Sequence, residues 1–167
     1  MKMRKKRLLT GGIILTLTVI VMGVLAFIQW RLPVPQSVID QTTFVVMVPE
    51  GKDIKVEKNT MEVSKPQGQD DEVLNYTATI DGKEVLVGQQ PTPQQFIDIP
   101  KTYEKVVEQS NQYASFETTV GTVYLTRPQK QQIAMLNAKG TYMLAQASDD
   151  LTEDQWRRFF RSVTLVQ

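Results

Sequence analysis

The hydrophobic and polar positions divide the chain into three regimes. From Leu8 to Ile28 the run LLTGGIILTLTVIVMGVLAFI carries neither a charge nor a proline. Wound as an α-helix, these 21 residues rise about 31 Å, the hydrocarbon thickness of a bilayer. Only a helix satisfies its own backbone in lipid, and Thr10, Thr16 and Thr18 can bond back to carbonyls one turn earlier. Trp30 and Arg31 follow where interfacial side chains belong. The next stretch, RLPVPQSVIDQ from Arg31 to Gln41, is interrupted by Pro33 and Pro35 and predicts a short, stiff spacer. Beyond it, short β-branched and apolar runs alternate with turn residues, the pattern of strands.

Thr42 to Val48 (TTFVVMV) predicts a strand closed by Pro49-Glu50-Gly51. A weaker extended piece spans Ile54 to Val63, and Lys65 to Asp71 reads as a loop. Val73 to Ile80, Asp81-Gly82, then Lys83 to Gln89 is a β-hairpin, because Asp-Gly supplies the positive φ angles of a type I′ turn. Thr92 is placed as N-cap of a short helix, with Pro93 at its first position and Gln95 completing a capping box. A second helix is expected from about Lys101 to Tyr113, with Tyr103, Val106 and Val107 on one face. Strands Thr122 to Thr126, Gln132 to Leu136 and Thr141 to Ala147 follow, the last two joined by a turn at Asn137-Ala138-Lys139-Gly140.

The closing helix is the best specified. Thr152 and Gln155 form a capping box, and Leu151 and Trp156 occupy hydrophobic-staple positions. Glu153 and Asp154 fall in its first turn and Arg157, Arg158 and Arg161 later, matching the macrodipole. Val163 to Val166 ends the chain as an extended tail. The expected class is α+β, an N-terminal transmembrane helix followed by an antiparallel β-sheet domain with helices packed on one face. The expected organisation is a cytoplasmic basic tail (1–7), a transmembrane helix (8–30), a Pro-containing spacer (31–41) and an extracytoplasmic α+β domain (42–167).

Charge gives this anchor a direction. Lys2, Arg4, Lys5, Lys6 and Arg7 precede the span, while every acidic residue lies beyond it. The positive-inside rule places the N-terminus in the cytoplasm and the domain outside, at the cell membrane. A competing reading is a signal peptide cleaved after Ala26, although the apolar run exceeds the usual length and continues through Phe27 and Ile28. Of 19 basic and 18 acidic residues, 14 and 18 belong to the part after the span, a net of −4. A mildly acidic domain offers nucleic acid no basic face.

Cysteine and histidine are both absent. Disulfides and a thiolate nucleophile are excluded, and with histidine go the commonest general base and zinc ligand. No serine stands in a nucleophile motif, and no glycine-rich loop opens a helix. Asp149, Asp150, Glu153 and Asp154 lack the alternation and central glycine of a calcium loop and read as decoration of a helix start. Asp70, Asp71 and Glu72 read as a solvated loop, the Asn75-Tyr76-Thr77 sequon as chance within a strand, and the Gly12–Thr16 pair as ordinary lipid-facing composition. No catalytic, cofactor-binding or metal-binding residue is assigned, and the chain reads as no enzyme. One stripe is left, Trp156, Phe159 and Phe160 with Val163. It either fills the core or roofs a cavity for a hydrophobic ligand.

Gly121-Thr122-Val123-Tyr124-Leu125, then Gly140-Thr141-Tyr142-Met143-Leu144, then a helix ending Phe160-Arg161-Ser162-Val163 resembles the uncharacterised domain found beside anti-sigma factors. More loosely it is similar to PsbP-type α/β/α folds. The resemblance covers roughly the last 90 residues. It implies a fold and a surface location, and transfers no catalytic residue; the chain departs from the anti-sigma arrangement in showing no cytoplasmic sigma-binding region. The functional expectation is a non-enzymatic interaction or accessory module of a bacterial cell envelope. Its expected partners are the lipid bilayer through residues 8–30 and another envelope protein. The alternative is a carrier or sensor of a hydrophobic ligand.

Overall fold

The structure, a computed structural model, describes residues 33–68 and 71–167. The expected cytoplasmic tail and the span Leu8–Ile28, with Gly12, Thr16 and Ala26, lie outside them. Among the described residues no helix is long and apolar enough to cross a membrane.

Two meanders build one sheet. The first runs β2 (Ile54–Ser64), β3 (Val73–Ile80) and β4 (Lys83–Pro91); the second runs β5 (Gln112–Glu117), β6 (Thr122–Thr126), β7 (Ile133–Ala138) and β8 (Thr141–Ala147). They join where β8 pairs with β4, giving a seven-stranded antiparallel sheet of order β2-β3-β4-β8-β7-β6-β5. The hairpins follow from their turns. Asp81 and Gly82 take φ of 50° and 78°, and Lys139 and Gly140 take 54° and 77°, the paired left-handed residues of a type I′ turn.

On the inner face, β1 (Val46–Pro49) and β9 (Val163–Val166) pair antiparallel as a separate ribbon. The extended tail expected at the C-terminus is thus a strand. Helix α4 (Glu153–Arg161) packs beside it, and its capping box between Thr152 and Gln155 is formed. Trp156, Phe159 and Phe160 bury against Phe116, Val123 and Leu125 of the sheet in one continuous core. Complete burial of each aromatic contributes roughly 2–3 kcal/mol before the entropy of ordering is charged.

Helices occupy both faces, not the one expected. α2 (Gln94–Asp98) and α3 (Thr102–Gln109) link β4 to β5. Their rings meet Tyr124 and Tyr142, which point away from the inner-facing Val123 and Met143. Val107 and Met135 are buried outside the main core cluster, so α3 covers a smaller core of its own.

Three local expectations are corrected. Helix α2 begins one residue later than expected, with Pro93 as N-cap and no side-chain cap; the Thr92 hydroxyl instead donates to Asn137 Oδ1 at 2.7 Å. The helix expected to reach Tyr113 stops at Gln109, because Asn111 turns left-handed (φ 57°) and starts edge strand β5. Last, the stretch expected to be spacer is partly folded. Gln36–Ile39 forms a short helix, α1, and Val34 and Val38 are buried in the core.

Candidate functional site

Amide side chains organise the inner face. Gln89 on β4 accepts from Met47 N–H at 2.8 Å through Oε1, and its Nε2 donates to Met47 O at 2.6 Å. One side chain thereby reproduces both hydrogen bonds of a strand pair. The Tyr76 hydroxyl donates to the same carbonyl at 2.8 Å, and its complete burial raises its pKa and keeps it a donor. Thr141 Oγ1 donates to Val45 O at 2.7 Å. These bonds fix β1 over the sheet. Gln132 repeats the device: Oε1 accepts from Leu151 N–H at 2.8 Å and Trp156 Nε1–H at 3.2 Å, and Nε2 donates to Leu151 O at 3.1 Å. The start of α4 is held by the sheet it covers.

The outer face has two halves. Under α2 and α3, Phe96 and Tyr103 stand 5.4 Å apart between ring centroids, and each meets Tyr142 edge-on. The Tyr103 hydroxyl is buried and forms no hydrogen bond of acceptable geometry, although the Asn137 backbone lies near it. Burial raises its pKa, and burial also lifts Tyr142 to about 12. A polar recess of about 310 Å³ opens beside this panel, with Lys101, Glu104 and Asn137 on its walls.

Among the described residues nothing covers the other half of the outer face. Register places Asn75, Gly88 and Leu144 in one row, and Thr77, Leu86 and Gln146 in the next. Between them lies a recess of about 380 Å³, bounded on the β2 side by Thr60. Thr60 is brought there by an irregularity in β2 between Glu57 and Glu62; its hydroxyl accepts from Thr77 N–H at 2.8 Å and donates to Glu57 O at 2.7 Å. Leu86 and Leu144 are 47% and 37% exposed. Among the described residues no Asp, Glu, Lys or Arg lines this recess.

Trp156, Phe159 and Phe160 are fully buried, with mutual ring-centroid distances of 5.4–6.2 Å. Neither recess is lined by them. Of the acidic residues near α4, Asp150 pairs with Arg127 at 3.2 Å and Glu153 with Arg157 at 2.5 Å. Glu72 accepts from the backbone and hydroxyl of Thr43, and the hydroxyl bond is the main cause of its lowered pKa. Among the described residues no group of acids is arranged to hold a metal ion. The sequence reading missed the bare recess. Its one local signal was Gly88 inside a strand pattern, where a glycine marks a bend or a close approach.

No protein-family model matches the chain, and neither a curated protein nor a solved structure is significantly similar to it.

Proposed function

We propose that the chain is a single-pass membrane protein whose domain lies outside the membrane and acts, without chemistry of its own, by binding another envelope protein. The basic residues before the apolar run support the direction, and the missing histidine and cysteine support a non-enzymatic role. The observation that carries the reading is the burial of Val34, six residues after Ile28. An extended chain covers at most about 20 Å over that separation. A domain tied so closely to the end of a span stays at the membrane surface, and its partner must be reached there. The hydrophobic-carrier alternative draws no support from the closing stripe, whose rings pack on one another and on the sheet.

The test is a crosslinking pull-down from intact cells with the tagged full chain. One stoichiometric envelope protein should be recovered, and lost when the apolar run is replaced by a cleavable leader. Recovery of nothing specific, or recovery indifferent to that replacement, would contradict the reading.

A further inference from the structure

We infer that the bare recess on the outer face is the docking surface, and that its occupant is an extended, uncharged peptide segment of the partner presenting one apolar side chain. This deepens the interaction reading and rests on it.

Chemistry selects the occupant. The recess is neutral, bounded by the hydroxyls of Thr60 and Thr77, the amides of Asn75 and Gln146, and two exposed leucines. Inside the recess a charged ligand would lose its hydration and touch no counter-charge, and an anion would also meet Glu57 and Glu62, which share its two rows at the β2 edge. Gly88 supplies the floor. Its backbone is not left-handed, so no turn requires a glycine; a Cβ there would meet only Asn75 Oδ1, at 3.3 Å. The missing side chain leaves a hole beside Leu86 and Leu144 in which an apolar knob can seat.

The amides name the rest of the ligand. Among the described residues, the Asn75 and Gln146 side chains have no hydrogen-bond partner. They stand on opposite sides of the hole, one on β3 and one on β8. This fold twice satisfies a buried glutamine by matching it, donor and acceptor together, to a single peptide group, Gln89 with Met47 and Gln132 with Leu151. Asn75 and Gln146 offer the same pairing outward, on either side of an apolar anchor. An extended peptide carries that pattern, peptide groups flanking each side chain.

The experiment uses the full chain in mild detergent, with labelled leucine and valine methyls followed by NMR. The probe is a blocked heptapeptide, acetyl-Ser-Thr-Val-Leu-Val-Thr-Ser-amide, with a copy carrying Glu in place of its Leu as the charged control. Saturable shifts at Leu86 and Leu144 are expected with the neutral peptide and not with the control. Gly88→Ala should weaken binding roughly tenfold by filling the hole, with the methyl signals of Leu74, Leu125 and Leu136 unchanged as proof of folding. The double substitution of Asn75→Ala and Gln146→Ala should weaken it by a similar factor.

No saturable shift at millimolar peptide, or binding indifferent to Gly88→Ala, would overturn the inference. So would tighter binding of chitotriose at the same methyls, which would make the occupant a neutral glycan. Shifts growing with protein concentration alone would make it a second copy, with the same result. If the peptide fails while a crosslinked partner is still recovered from cells, this inference falls and the interaction reading stands. If the peptide binds and no partner is recovered, the surface stands and that reading falls.

Discussion

Gln89 and Gln146 stand on neighbouring strands of one sheet, yet their amides meet opposite fates. Gln89 points inward, is buried, and matches both polar groups of Met47. Gln146 points outward beside two exposed leucines and has no partner among the described residues. The inner face is closed by α4, the β1–β9 ribbon and α1, and every amide admitted there has been given a backbone group to bind. Among the described residues the outer face is closed only where α2 and α3 lie over it. A polar group withheld from water must be paired, whereas one left in water keeps its capacity for something else. The contrast separates side chains that build the domain from those free to recognise.

The largest effect that tests this contrast lies under α4. Trp156→Ala should cost about 3–5 kcal/mol, read as a fall in the urea midpoint, because it opens a cavity among Phe159, Phe160 and the sheet and loses the bond to Gln132. A loss below about 1 kcal/mol would mean that the closed face is less tightly packed than described. Next comes the amide pair itself. Gln89→Ala strands the buried Met47 N–H, leaves Met47 O to the Tyr76 hydroxyl alone, and should cost about 2–3 kcal/mol, while Gln146→Ala should stay within about 0.5 kcal/mol. Equal losses would break the comparison.

Smaller still is Tyr103→Phe. The hydroxyl it removes is buried without a hydrogen bond, so thermal stability should be unchanged or slightly raised. A drop above about 1 kcal/mol would show a partner that the geometry lacks. The smallest effect is at the exposed corner where Arg158 and Gln155 donate to Asp81. The Arg158 bond is the main reason that the Asp81 pKa is lowered. A depressed carboxyl stabilises the fold above its unfolded pKa and ceases to do so as pH falls through its folded value. Asp81→Asn should therefore lower the unfolding midpoint slightly at neutral pH, and the difference from the parent should vanish once the pH has fallen through the lowered folded pKa of Asp81. A difference that persists there would assign the effect to packing.

Local signals made much of the domain legible. The Asp81-Gly82 hairpin and the capped helix after Leu151 were readable because each depends on residues a few positions apart. β5 was hidden because Gln112–Glu117 is an edge strand that buries little beyond Phe116, and its start reads as the tail of a helix. Asn111, a residue that tolerates the left-handed conformation ending that helix, was the available clue. Pro33 and Pro35 concealed the fold of the next residues, where Val34 and Val38, four apart, face the core. The division of helices between faces depends on which side of the sheet a connection passes, and no local pattern records that. The bare recess is less legible still. Asn75, Gly88 and Leu144 become neighbours only through strand register.

The central claim is that recognition belongs to the open half of the outer face, and two leucines test it. Leu144 lies beside the recess, and Leu165, 43% exposed, lies on the β1–β9 ribbon. The measurement is partner recovery in the intact-cell crosslinking pull-down, with Leu144→Glu and Leu165→Glu compared at equal expression. The account predicts that Leu144→Glu loses the partner and Leu165→Glu retains it. Recovery by both variants, or loss only with Leu165→Glu, would contradict it.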